Sequence, residues 1–124
     1  MGHSLAIAAG GAVGALLRYW VSLGAHGLLG TGLPYGTLTV NTLGSGLMGF
    51  ASVLLLDRAG LSPELRAALL VGLLGSFTTF STFSLETLSL AENGTRLRAA
   101  ANVAGHLVLC LGAVWAGVIA GRKL

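Results

Sequence analysis

Hydrophobic residues run through this chain in long blocks, and the charged residues fall between them. No Asp, Glu, Lys or Arg occurs between Tyr19 and Leu56, between Ala67 and Leu85, or between Ala99 and Gly121. Each gap has room for at least one membrane crossing of about 20 residues. The first gap is long enough for more than one, and Gly30-Thr31-Gly32-Leu33-Pro34-Tyr35-Gly36 divides it with residues that end helices. Four helices are therefore predicted, from about Leu5 to Leu29, Gly36 to Leu56, Pro63 to Leu90 and Arg96 to Gly121. The third opens on Ser62-Pro63-Glu64, a cap residue, a proline at the first helical position and an acid in the first turn. The fourth closes on Gly121-Arg122-Lys123, a stop signal at a membrane surface. The fold class expected is an all-α membrane protein, with one four-helix transmembrane domain over residues 1–124.

Composition agrees with this pattern. Hydrophobic residues make up 54% of the chain and charged residues 9%, where soluble domains carry about 25% charged residues. No cleavable signal peptide is expected, because no Lys or Arg precedes Leu5 and the apolar stretch runs on past any cleavage site. The net charge of +3 comes from residues near helix ends, which favours anionic lipid headgroups over nucleic acid as the partner. The single cysteine, Cys110, lies inside the fourth helix, so no intrachain disulfide is possible. Four crossings place Arg58, Arg66, Arg122 and Lys123 on one side and Arg96 and Arg98 on the other. That orientation bias is weak and permits insertion both ways, or an ordinary single orientation.

Four short helices are too few to surround a pathway for a polar solute while keeping every backbone group satisfied, so association with a second copy is expected. Small residues four apart, Gly10 with Gly14, Ser45 with Gly49 and Gly117 with Gly121, allow helix backbones to approach closely without saying which helices meet.

Polar side chains at bilayer depth are where function is to be sought. Arg18 can snorkel toward headgroups, sit at a pore mouth, or pair with Glu86. Asn41 can hold helices in register or offer two donors to an anion, and spacing alone favours the first use. The segment from Gly72 to Phe83 is rich in glycine and hydroxyl residues, including Ser76, Thr78, Thr79, Ser81 and Thr82. Glycine frees the backbone to leave helical geometry, and hydroxyls can satisfy groups that a break releases. Helices broken at the midplane typically form ion sites. Phe77, Phe80 and Phe83 recur every three residues and fall near one another if the segment stays roughly helical. They either pack against lipid and protein or turn positive ring edges toward an anion. Asn102, His106 and Cys110, spaced by four, form a polar stripe on the fourth helix. One His and one Cys are too few for a metal site. Phosphate-loop, nucleophile-elbow and zinc-histidine signatures are missing, so no enzyme is expected.

The stretches Gly10 to Tyr19, Thr37 to Gly49, and Gly72 to Phe83 with its Gly-Ser-Phe-Thr-Thr-Phe-Ser-Thr-Phe motif resemble the Fluc (CrcB) family of fluoride channels. The resemblance spans three of the four helices, in order. It implies a dual-topology, antiparallel homodimer with a break in the third helix and two fluoride pathways, exporting fluoride passively across the cell (inner) membrane and so protecting the cell. It also implies a structural sodium ion at the dimer centre, held by the backbone carbonyls of Gly75 and Thr78. By the same likeness Asn41 lines the pore, Phe80 and Phe83 present ring edges to fluoride, and Arg18 sits near a vestibule.

The fluoride pathway expected on both grounds therefore includes Asn41, Phe80, Phe83, Thr79, Ser81, Thr82, Asn102, His106 and Arg18. Fluoride is small and strongly hydrated, and enters only where donors replace its water; a narrow path of fixed donors would reject chloride. The fourth helix departs from the family, which often carries an aromatic and then hydroxyls where this chain has Asn102, His106 and Cys110. Protonation of His106 is accordingly expected to alter throughput. A small multidrug transporter is similar in length, but couples export through an acidic residue in the first helix, and this first helix has none.

Overall fold

The computed structural model describes residues 1–58 and 60–124. The side chains of Asp57 and Arg58 are outside the description, and with them the Arg58 charge counted above. Helix α1 is Gly2–Leu29 and α2 is Tyr35–Ser52, which continues through wider, π-type turns over Val53–Arg58. Helix α3, residues 63–77, joins Pro63–Arg66, a π-type stretch Ala67–Leu74 and a last turn Gly75–Phe77. Helix α4 is Phe80–Glu92 and α5 is Arg96–Lys123.

Among the described residues, four segments are long and apolar enough to cross a membrane: Gly2–Leu29, Tyr35–Leu56, Pro63–Glu92, which joins α3 and α4, and Arg96–Lys123. The chain is a multi-pass membrane protein. At 1.5 Å per residue, the 28 residues of α1 or α5 extend about 42 Å, against a hydrocarbon core of about 30 Å. The first helix begins three residues earlier than Leu5, and the last runs two residues past Gly121. Ser62 caps α3 by accepting a hydrogen bond from the Leu65 amide at 3.2 Å, with Pro63 at the first helical position. Gly30 and Gly94 take positive φ, 84° and 78°, at the turns that follow α1 and α4.

The glycines show which helices meet. A methyl group at Gly10 would run into the Ala68 carbonyl, and one at Gly14 into the Leu73 carbonyl, so α1 lies directly on α3. With His3 beside Glu64 at 3.5 Å, the register advances together along both, and the two run parallel. Gly49 presses on the Val114 carbonyl and Gly117 on that of Gly46, so α2 lies directly on α5. Leu38 beside Gly105, Thr42 beside Cys110 and Phe50 beside Gly121 advance together, so these two helices also run parallel. The small residues thus serve contacts within one chain.

The buried apolar core is small: Ala25, Val40, Val53, Leu74, Phe77 and Ala99. The chain exposes 7315 Å², more than the about 6,200 Å² of a compact soluble monomer of the same mass. Leu16, Val71, Leu85, Leu111 and Trp115 are among many large apolar side chains on the outside, a surface that lipid or another apolar partner must cover.

Candidate functional site

Within the third span the backbone leaves helical geometry at two residues. Thr78 has φ −90° and ψ 159°, and Thr79 has φ −153° and ψ 119°. The local chemistry explains both sides of the interruption. Thr78 closes α3, its amide and its hydroxyl each donating to the Leu74 carbonyl at 3.2 Å. Thr79 opens α4, its hydroxyl oxygen accepting from the Thr82 amide at 3.2 Å. Gly44 lets α2 approach, since a Cβ there would collide with the Thr78 methyl and lie 3.1 Å from the Phe77 ring.

That approach brings Asn41 to the Thr79 peptide. The Asn41 Oδ1 accepts from the Thr79 amide at 2.7 Å, and its Nδ2 donates to the Thr79 carbonyl at 2.9 Å. The backbone donor and acceptor fix the orientation of the amide. Asn41 is therefore an interhelical clip, the use that spacing favoured, and one Nδ2 hydrogen remains for another acceptor.

Backbone bookkeeping identifies what the interruption frees. In an unbroken helix the Thr79 amide would donate to the Gly75 carbonyl and the Thr82 amide to the Thr78 carbonyl. The first goes to Asn41 and the second to the Thr79 hydroxyl. The Phe80 and Ser81 amides, in the first turn of α4, likewise no longer reach Ser76 and Phe77, so the main-chain oxygens from Gly75 to Thr78 are all relieved of their helical partners, and hard oxygen donors of this kind suit a hard cation. Among the described residues, no three His, Cys, Asp or Glu side chains come together to hold a metal.

A groove of about 400 Å³ opens beside the interruption. It brings together Asn41, Thr78, Thr79, Phe80, Phe83 and His106, with Cys110 farther along α5. Phe80, 78% exposed, leans on Phe83 with ring centroids 5.3 Å apart and planes tilted by 51°. Phe83 in turn lies 4.3 Å from the His106 ring at 47°. Phe77 does not join this series: the extended residues turn it inward against Gly44, and it is buried.

The other expected residues lie elsewhere. Arg18 and Thr82 line a second groove of about 360 Å³, to which Thr79 also contributes. The Ser81 hydroxyl is exposed, 3.3 Å from that of Thr79. Asn102 is almost fully buried, and its Nδ2 donates to the Thr87 hydroxyl at 2.8 Å. Glu86 is held by Thr37, whose hydroxyl donates to Oε1 at 2.9 Å, in place of the Arg18 pairing weighed above. Thr37 and Thr87 were not singled out by sequence reasoning; lone hydroxyls on apolar helices signal nothing until their partners are placed.

Residues 5–118 match the family described as CrcB-like protein, Camphor Resistance (CrcB). A protein of Methylococcus capsulatus named fluoride-specific ion channel FluC is 59% identical over 119 residues, 96% of this chain and 52% of its own length. The chain thus spans about half of that relative. Proteins of the same name from Geobacter sulfurreducens and Shewanella amazonensis are 47% and 51% identical, over 97% and 94% of this chain and the same shares of their own.

Proposed function

The chain belongs to the CrcB family, and from that premise we propose that it is a fluoride-selective channel, not an enzyme, that lets fluoride leave the cell passively and so limits its toxicity. The observation that carries the reading is the Asn41 clip on the Thr79 backbone, beside a groove lined by Phe80 and Phe83. Asn41 has an amide hydrogen to offer, and the aromatic edges carry partial positive charge, so an anion that sheds water there meets donors of fixed position. The name borne by the relatives, fluoride-specific ion channel, supports the same anion.

The pathway in this reading uses Asn41, Thr79, Phe80, Phe83 and His106 on the larger groove. Arg18, Thr82 and Ser81 serve the neighbouring entrance, and Asn102 supports α4 from behind. The groove is open along one side of the chain, and four helices cannot enclose it. A second copy in antiparallel orientation would close it, in a cell (inner) membrane where the weak charge bias permits both insertions. The carbonyls of Gly75 and Thr78 would hold a structural sodium ion at the dimer centre, supplying a fixed positive charge between two chains. The freed oxygens at that interruption support this assignment.

The test is growth in fluoride of a bacterium stripped of its own fluoride exporter. Expression of this chain is expected to restore growth, and expression of the Asn41→Ala variant is expected not to. Membrane-inserted chain that gives no protection would overturn the proposal.

A further inference from the structure

His106 is buried on the face of α5 that meets α2 and α4. Its Nδ1 lies 2.9 Å from the main-chain carbonyl oxygen of Asn102. A carbonyl oxygen can only accept, so Nδ1 carries the hydrogen. In the neutral ring this leaves Nε2 as a lone-pair acceptor. That nitrogen is buried and has no hydrogen-bond partner.

The consequence bears on an anion. The Phe83 ring, 4.3 Å from the imidazole, also lines the groove. His106 itself lines the groove, and the neutral imidazole in this tautomer adds no positive charge there, its Nε2 lone pair being buried behind the wall. Protonation forms an N–H bond at Nε2, turns the lone pair into a donor, and gives the wall a full positive charge in a poorly screened setting. We infer that His106 is a proton-operated anion-attracting group, so that acid raises fluoride throughput in this channel. The inference rests on the fluoride-channel reading and adds its regulation.

The neighbours allow this change. Glu86 follows Phe83, the residue that meets the His106 ring, by three positions on α4, and its Oε2 is buried with no partner. Cys110 follows one turn along α5 and sits 3.9 Å from the Thr42 hydroxyl. Helix α2, packed against α5, has no ionisable side chain between Gly36 and Leu56. From α1, His26 lines a groove that Glu86 also lines. Asn102 brings no charge: Thr87 gives its one hydroxyl hydrogen to the Phe83 carbonyl at 2.7 Å and so accepts from Asn102 Nδ2, while Asn102 Oδ1 is a buried, uncharged acceptor with no partner. The balancing charge available to a protonated His106 is therefore the Glu86 carboxylate.

The experiment has two arms. Fluoride efflux from liposomes, corrected for the leak of protein-free liposomes, is expected to rise about five-fold or more between about pH 7.5 and about pH 5.5. In His106→Gln that rise is expected to vanish. A flat wild-type profile, or a rise retained in His106→Gln, overturns the inference while leaving the channel intact. Absence of efflux at both pH values overturns the channel reading itself.

The second arm reads the ring directly, by nitrogen NMR of the histidine-labelled wild-type protein in lipid. The neutral ring is expected to carry its hydrogen on Nδ1. At a fixed pH of about 6.5, added fluoride should increase the protonated fraction of His106, because proton and fluoride binding are reciprocally linked. An Nε2–H neutral tautomer, or a protonated fraction unmoved by fluoride, overturns the inference independently of transport.

Discussion

Asn41 commits both ends of its amide to the backbone of a single residue, Thr79, at which the third span stops being a helix. Removing it takes away two hydrogen bonds and leaves the amide and carbonyl of Thr79 without partners. Asn41→Ala is therefore expected to lose about 2–4 kcal/mol of stability, read as a lower unfolding midpoint in detergent. Fluoride efflux should fall at least about ten-fold, since a barrier rise of about 1.4 kcal/mol is enough for that. Asn41→Asp keeps an acceptor for the Thr79 amide, loses the donor to its carbonyl, and adds negative charge at the groove. It should be more stable than the alanine variant and at least as poor at conducting. Asn41 was readable in the sequence as a polar residue at bilayer depth. Its partner was not, because residues 38 positions apart meet only once the helices are packed.

At the scale of elements, the charge-free blocks and the Ser62-Pro63-Glu64 start gave four crossings with ends within a few residues of those observed, since both features act locally. The glycine and hydroxyl content of residues 72–83 pointed to the stretch that holds Thr78 and Thr79, because it weakens helix locally. Pairing of helices was not legible: Gly10, Gly14, Gly49 and Gly117 signalled close approach, but the approached backbones belong to Ala68, Leu73, Val114 and Gly46. The Phe77, Phe80 and Phe83 repeat would bring three rings together only in a segment that stays helical, and two extended residues within it send Phe77 inward. The helix contacts make a sharp prediction. Gly117→Val drives a side chain into the Gly46 carbonyl of α2 and should cost about 1–3 kcal/mol or more. Gly112→Val, where an added Cβ meets nothing within 4 Å, should leave the unfolding midpoint nearly unchanged. Equal midpoints for the two variants would contradict the α2 and α5 packing.

At the scale of the whole molecule, much of the apolar surface and one side of the groove face outward. The proposed antiparallel pair accounts for both, and it is testable in cells. An Asn93→Cys substitution places an exposed thiol at the turn between α4 and α5 and leaves the positive-φ Gly94 in place. In a Cys110→Ala background, an impermeant reagent added outside intact cells should modify about half of the chains if the two orientations are equally populated. Modification of nearly all chains, or of almost none, would rule out dual topology while leaving conduction to be judged separately. Conduction is judged most directly by fluoride release from liposomes holding the purified protein in sodium, followed with a fluoride electrode beside a chloride control. Rapid fluoride release with no chloride release is the predicted result; a folded, dimeric sample that releases no fluoride, or releases both anions alike, would contradict the account.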